Sequence, residues 1–240
     1  MKTIIVKSQE EGGKVAGDII IDYMSSKSNA ILGLATGSTP ISTYRYLIKK
    51  TKEENIDWSN ITTFNLDEYM GLGPDHSKSY RYFMNEELFD HVNINKSNTF
   101  VPDGHTKTQS DAEKYDDLIQ SKGGIDLQVL GLGVNGHIGF NEPGTSFESI
   151  TSIVDLTNET IEANSRFFKN KDEVPKKAIS MGLKSIMNAK KILLMAYGKS
   201  KAEAIKNLVN TKPTTDWPCT ILQNHADVTL IIDEEAASEL

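Results

Sequence analysis

The stretch AILGLATGSTP, residues 30–40, joins a short apolar run to a turn of small residues that ends at Pro40. An apolar run of this length predicts a buried strand, and proline suits the first turn of a helix. Short apolar runs alternate with amphipathic, helix-length segments along the rest of the chain. This alternation predicts an α/β fold with a mostly parallel sheet.

The predicted elements fill the chain without an internal repeat or a low-complexity linker, so we expect one domain. The predicted strands cover residues 3–6, 30–35, 61–66, 127–130, 152–156, 192–197 and 228–232. The predicted helices cover residues 10–26, 41–50, 80–88, 111–122, 158–168 and 199–210. Ligands collect at the carboxyl ends of parallel strands, which makes the loops at 35–40, 65–80 and 131–144 the candidate site.

Composition limits the classes of partner. The chain has 26 Lys and Arg against 33 Asp and Glu, a formal net charge of −7, which argues against a nucleic-acid partner. An anionic small molecule would need a local cluster of donors. No window has the roughly 20 apolar residues of a membrane helix, the first residues lack a signal-peptide core, and Cys219 is the single cysteine. We therefore expect a cytoplasmic protein without a membrane partner.

The turn Thr36-Gly37-Ser38-Thr39 has the composition of an anion-binding loop. Its small residues let backbone N–H groups and hydroxyls approach a phosphate at the positive end of the next helix. Arg166 and Lys201 are candidate cationic partners. The alternative is an ordinary turn that caps a helix, with Arg166 and Lys201 as surface charges.

Asp67 follows the predicted strand 61–66, where a parallel sheet presents ligands. A carboxylate there can act as a general base next to a carbonyl, best in a partly dry site that raises its pKa. Residues 71–80 are rich in Gly, Pro and Ser, which predicts a lid at about residues 68–90. The alternative is that Asp67 or Glu68 only caps a turn.

The segment GLGVNGHIGFNEPG, residues 131–144, matches the dinucleotide fingerprint G-x-G-x-x-G by its letters. Its later glycines and Pro143 forbid the helix that the fingerprint requires, so we reject that interpretation. The loop carries Asn135, His137 and Glu142, an acid–base set in which a carboxylate orients an imidazole. A lone histidine is more often structural, and no pair of histidines has the helical spacing of a zinc site, so no metal is expected.

Five stretches together resemble the glucosamine-6-phosphate deaminase family. They are LGLATGSTP (32–40), FNLDEYMGL (64–72), HSKSY (76–80), GLGVNGHIGFNEPG (131–144) and NSRFF (164–168). The resemblance runs from residue 31 to about residue 233. It implies a modified Rossmann-like α/β sandwich and a hydrolase acting on a C–N bond in amino-sugar catabolism, including the degradation of N-acetylglucosamine and N-acetylneuraminate.

The resemblance also implies a role for each candidate residue. Asp67 is expected to remove the C2 proton, while His137, helped by Asn135 and Glu142, opens the pyranose ring. The implied phosphate and substrate contacts are Thr36, Gly37, Ser38, Thr39, Gly131, Arg166 and Lys201. Ring opening exposes an aldehyde that serves as the electron sink, so no metal or organic cofactor is expected.

Two features set this chain apart within the resemblance. The residue that matches Asn135 is commonly Asp, and a neutral amide leaves more of the charge stabilisation to Glu142. The chain is also similar to the shorter, non-allosteric branch. We therefore expect a monomer or small homo-oligomer, a shifted pH profile and no strong activation by an acetylated amino-sugar phosphate.

Two other functions compete with this interpretation. A 6-phosphogluconolactonase or sugar-phosphate isomerase could share the phosphate loop, but a lactonase has no need of a base aimed at C2. A sugar-phosphate sensor could share the fold, but its usual DNA-binding segment has no room here. A domain in which all five motifs are coincidental caps and surface charges is the remaining alternative.

Overall fold

The computed structural model describes residues 1–165, 168, 170 and 173–240. Within them the strands are β1 (Lys2–Val6), β2 (Ile31–Leu34), β3 (Thr62–Asn65), β4 (Asp67–Tyr69), β5 (Thr99–Phe100), β6 (Leu127–Gly131), β7 (Ser152–Asp155), β8 (Lys177–Ser180), β9 (Lys191–Ala196) and β10 (Val228–Asp233). The α-helices are α1 (Gln9–Ser26), α2 (Ile41–Glu54), α3 (Tyr80–Glu87), α4 (Gln109–Ser121), α5 (Asn158–Ser165), α6 (Leu183–Met187) and α7 (Ala202–Asn210).

Seven strands form the main sheet in the order β1-β10-β9-β6-β2-β3-β5, and every neighbouring pair is parallel. The predicted α/β class and mostly parallel sheet are confirmed. The chain builds outward from β2 toward β5, then returns to the other side of β2 with β6. This reversal between β2 and β6 brings the loops after those strands together, which is where such sheets bind ligands.

Helices cover both faces of the main sheet, and side chains of the central strands alternate between the two layers. In β9, Leu193 and Met195 pack with α1 and α2, whereas Ile192 and Leu194 pack with α4 and α7. All four are buried, because a parallel sheet covered on both faces leaves no polar side. The long apolar runs in the sequence have this physical origin.

A second, three-stranded antiparallel sheet, ordered β4-β8-β7, was not predicted. The predicted strand at 152–156 belongs to this sheet rather than to the parallel one. Strands β4 and β5 span only three and two residues, and α6 only five, so none shows a readable period. β8 was missed as well. The small sheet matters for the site because β4 begins at Asp67 and pairs it with Ser180.

Helix boundaries follow the prediction closely except at three places. Helix α2 continues to Glu54, four residues beyond its predicted end at residue 50. Residues 199–201, predicted as the start of the last helix, form a 3₁₀ turn that leads into α7. The predicted helix 158–168 is observed as Asn158–Ser165, and its continuation runs into residues outside the described ranges. Across the described chain, the helices are too short or too polar to span a bilayer.

Candidate active site

The three predicted loops meet at the carboxyl ends of β2, β3 and β6 around a cavity of about 330 Å³. The predicted residues that line it are Thr36, Gly37, Thr39, Asp67, Gly131, His137 and Lys201. Ser38 lines an adjoining cavity of about 270 Å³, which shares Gly37 and Tyr80 with the first. Arg166 lies outside the described residues. The sheet therefore gathers most of the predicted site in one place.

Asp67 is a buried acid at the first position of β4, with 6% of its surface exposed. Within the described residues no group donates a hydrogen bond to its carboxyl. Burial, with a smaller contribution from the neighbouring Glu68 carboxyl, raises the pKa of Asp67 to about 8. A carboxylate that loses hydration without gaining a partner is a strong base once it ionises.

Glu68, the next residue, has the opposite environment. Its carboxylate accepts backbone N–H bonds from Tyr69 at 2.8 Å, from Tyr80 at 2.9 Å and from Arg81 at 2.9 Å. Burial raises the pKa of Glu68, and these three hydrogen bonds oppose that rise. Glu68 thus caps the start of α3, so the capping alternative holds for Glu68 and not for Asp67.

The glycines of the 131–144 loop permit close contacts and a backbone conformation that other residues do not. A side chain at Gly133 would overlap the imidazole of His137, which lies directly over that backbone. Gly139 has φ +60, and its Cα faces the Asp67 carboxyl and the Ser180 hydroxyl. Only glycine adopts such conformations at little cost and permits such close approach. These glycines therefore leave room for the His137 imidazole and for the Asp67 carboxyl, which line the same cavity.

His137 is oriented by an amide that bridges it to a carboxylate. The Nδ1 atom of His137 lies 2.7 Å from Oδ1 of Asn135, and the Nδ2 group of Asn135 donates to Oε2 of Glu142 at 2.8 Å. The backbone N–H of His137 donates to the same Oδ1 at 3.2 Å. An amide oxygen only accepts, so Nδ1 carries the proton and Nε2 is the nitrogen left for chemistry. The predicted acid–base set is assembled as one unit.

Glu142 is held as an anion. Its Oε2 lies 3.6 Å from Nδ1 of His137, and its Oε1 accepts from the Thr160 hydroxyl at 2.8 Å. Burial opposes ionisation, but the combined interactions with His137, Asn135 and Thr160 lower the pKa of Glu142 to about 2. A negative charge therefore lies 3.6 Å from Nδ1 of the imidazole.

Lys201 provides a positive charge without a partner. It is half-buried against the cavity, burial lowers its pKa, and in the described part of the chain no carboxylate pairs with it. On the opposite wall the turn is held by Gln9, whose Nε2 donates to the carbonyl of Ser38 at 2.9 Å. A half-buried lysine that has no counter-ion is suited to an anionic ligand.

Three residues around the site were missed by sequence reasoning: Gln9, Tyr80 and Thr160. Tyr80 lines the cavity, and its ring packs against those of Tyr69 and Phe140, with centroids 4.7 Å and 6.3 Å away. Tyr80 lies in the HSKSY motif and could have been found there, whereas Gln9 and Thr160 carry no local signal. No cluster of three or more His, Cys, Asp and Glu side chains suited to a metal occurs among the described residues.

A parallel α/β sheet that presents a buried acid, an oriented imidazole and an unpaired lysine to one cavity is the framework of an acid–base enzyme. The model of the glucosamine-6-phosphate isomerase and 6-phosphogluconolactonase family matches residues 14–231. The chain belongs to this family.

Two curated relatives match over essentially their full length. The glucosamine-6-phosphate deaminase of Mycoplasma mycoides subsp. mycoides SC is 54% identical over 240 residues, which cover 100% of this chain and 98% of the relative. That of Clostridium beijerinckii is 54% identical over 241 residues, with 100% of each chain covered.

Solved structures share the fold of this chain at two levels of similarity. A monomeric glucosamine-6-phosphate deaminase superposes with a TM-score of 0.97 at 46% identity, covering 100% of both chains. The 6-phosphogluconolactonase of Thermotoga maritima reaches a TM-score of 0.76 at 20% identity, covering 97% of this chain and 99% of its own. The second likeness shows a shared fold only.

Proposed function

We propose that this chain isomerises and deaminates glucosamine 6-phosphate to fructose 6-phosphate and ammonia. One observation carries the proposal: the Asp67 carboxyl, the oriented His137 imidazole and Lys201 face a single cavity, and within the described residues neither Asp67 nor Lys201 has a partner. The deaminases that are about half identical to this chain over its whole length support the same reaction.

Ring opening falls to His137. With Nδ1–H donated to Asn135, the neutral ring has a basic Nε2 that takes the proton of the anomeric hydroxyl. It returns a proton to the ring oxygen as the C1–O5 bond breaks and the C1 aldehyde forms. Glu142 stabilises the intervening imidazolium through its fixed charge 3.6 Å away.

Asp67 is the base for the second step. Its carboxylate takes the C2 proton, the electron pair moves into the C1 carbonyl, and the resulting O1 anion takes a proton from the medium to give an enol that carries the amino group at C2. Return of the proton at C1 gives the ketone-level imine, to which water adds, and ammonia leaves as the C2 carbonyl forms. A base whose pKa is about 8 suits this transfer near neutral pH.

The phosphate lies at the opposite end of the cavity in this proposal. The turn at Thr36, Gly37, Ser38 and Thr39 offers backbone N–H groups and hydroxyls, and Lys201 offers the charge, with Gly131 along the sugar. Arg166 stays a predicted contact. The binding energy gained there positions C1 and C2 against His137 and Asp67.

The predicted lid at residues 68–90 also stays a prediction, and the contacts of α3 limit which of these residues can move. Glu68 holds the first turn of α3, and the guanidinium of Arg81 donates to Oγ1 of Thr99 at 2.7 Å and to its carbonyl at 2.6 Å. We place any closure in the exposed loop 71–78 rather than in α3.

A monomeric state is proposed from the monomeric deaminase that matches over the whole chain. A monomer has no subunit interface through which an effector could act. Rate curves with glucosamine 6-phosphate are accordingly expected to be hyperbolic and unchanged by N-acetylglucosamine 6-phosphate. A sigmoidal curve that this effector abolishes would contradict the proposal.

The test is incubation of the chelator-treated protein with glucosamine 6-phosphate, with ammonia and fructose 6-phosphate measured together and 6-phosphogluconolactone as a parallel substrate. Equal formation of the two products supports the proposal. No ammonia together with rapid hydrolysis of the lactone would assign the chain to the lactonase branch of the family instead.

A further inference from the structure

The hydroxyl of Thr160 contacts the acid–base set from outside the loop that carries it. Thr160 lies in the first turn of α5, lines the cavity and is separated by 18 residues from Glu142, whose Oε1 accepts its hydroxyl at 2.8 Å. None of the five family motifs includes Thr160. Its contact joins the small antiparallel sheet and α5 to the His137 loop.

The hydroxyl protons of Thr157 and Thr160 each have one acceptor, Oγ1 of Thr160 and Oε1 of Glu142 respectively. The Oγ1 atom of Thr157 accepts the backbone N–H of Thr160 at 3.2 Å and lies 3.0 Å from the Thr160 hydroxyl, to which it donates. With that oxygen occupied as an acceptor, the Thr160 proton is directed to Glu142. Thr157 therefore fixes the rotamer of Thr160 and the direction of its hydrogen bond.

The two oxygens of Glu142 then have different partners. Oε1 is held by Thr160 and Oε2 by the Asn135 amide, whose own oxygen accepts Nδ1–H of His137. Two donors on opposite oxygens fix the plane of the carboxylate. Without the donor to Oε1, the carboxylate rotates more freely about the Cγ–Cδ bond. The Asn135 amide, and through it the His137 imidazole, is then held less firmly in orientation.

We propose that Thr160 is a positioning residue for ring opening, which acts by fixing the Glu142 carboxylate and, through Asn135, the tautomer and orientation of His137. The inference rests on the proposed function, since it assigns ring opening to His137. It places Thr160 in the mechanism without contact to the reacting atoms. The residue should therefore affect turnover much more than substrate binding.

The experiment compares Thr160→Val, which removes the hydroxyl at nearly constant volume, with Thr160→Ser, which keeps it. We expect Thr160→Val to lower kcat about tenfold to a hundredfold, the range for loss of a hydrogen bond to a charged group, with KM within about twofold. Thr160→Ser should restore kcat to within about threefold of the parent. Thr160→Ala should match Thr160→Val, which covers the case in which the valine methyl disturbs folding.

Thr63→Val is the matched control. Thr63 is fully buried in β3, and its hydroxyl has no hydrogen-bond partner among the described residues. The control should keep the parent kcat. A kcat for Thr160→Val within twofold of the parent, or an equal loss in Thr160→Ser, would overturn the inference while the parent still forms ammonia. An inactive parent would instead refute the proposed function.

Discussion

Two buried aspartates show how one residue type serves two purposes. One lies where the strands of the main sheet begin, at its amino edge, and the other lies where they end, at its carboxyl edge. Asp126 precedes β6 at the amino edge, where its carboxylate pairs with Lys27 at 2.6 Å and Lys190 at 2.7 Å and accepts the Ile31 N–H at 2.8 Å. Asp67 follows β3 at the carboxyl edge and has no such donors within the described chain. Neither residue is more than 6% exposed, and the two carboxyls differ in their partners.

The pKa of each group reflects these partners. Burial alone would raise the pKa of both carboxyls. At Asp126 the two lysines and the backbone N–H outweigh burial, so that its pKa falls below the usual range. At Asp67 burial is unopposed. A compensated carboxylate stabilises the fold, whereas an uncompensated one lowers stability and keeps its basicity for a substrate proton.

The largest expected effect is on activity at the carboxyl edge. Asp67→Asn removes the only group proposed to take the C2 proton, so kcat should fall at least about a thousandfold, within the usual range for a general base. Exchange of the C2 proton with solvent, followed by NMR, should be lost in parallel. Binding of substrate should persist, and undiminished exchange would remove Asp67 from the role of base.

A substitution at the amino edge should change the free energy of unfolding rather than activity. Asp126→Asn keeps an acceptor for the Ile31 N–H but removes both ion pairs, and should lower the free energy of unfolding by about 2–4 kcal/mol. Chemical denaturation at pH 7 measures this, and kcat below the unfolding transition should equal that of the parent. A large loss of kcat in the folded variant would show that the two edges are not separate.

The pH dependence of stability should have opposite signs at the two edges. The pKa of Asp67 is raised from 3.8 to about 8 in the folded state, so the parent loses stability as the pH rises through that window. Asp67→Asn should therefore be more stable than the parent by about 2 kcal/mol or more at pH 8, and similar to it near pH 4.

Asp126 gives the complementary result. Its stabilising contribution is present above its unfolded pKa and is lost as the pH falls through the lowered folded value. The destabilisation caused by Asp126→Asn should consequently shrink in acid. Denaturation curves of the two variants at pH 2.5, 4, 6 and 8 provide the measurement, because the Asp126 contribution is lost only below its unfolded pKa of 3.8. Parallel trends in the two variants would contradict the comparison.

The smallest expected effect concerns Asn135. Aspartate at this position would put a carboxylate where the Asn135 amide now donates to Glu142 at 2.8 Å, and one of two such acids would hold a proton. Asn135→Asp should stay active, lose about 1 kcal/mol of stability at neutral pH and shift the pH profile of kcat/KM by about one unit. A profile identical to that of the parent would refute this electrostatic account.

Sequence patterns located the three site loops because apolar runs and glycine-rich turns are local properties. The same patterns missed β4, β8 and Thr160, since these depend on contacts between distant segments. The sequence could not separate Asp67 from Glu68, because adjacent acids have the same local signal. Only the approach of the α3 amino end shows that Glu68 is a cap.

By itself the sequence determined the α/β class and the parallel sheet, because hydrophobic period, strand length and turn composition act over a few neighbours. The tertiary structure alone decided which aspartate is compensated, which tautomer His137 adopts and whether Lys201 has a counter-ion among the described residues. Those properties depend on burial and on partners brought together by folding, and electrostatic interactions change most with such surroundings.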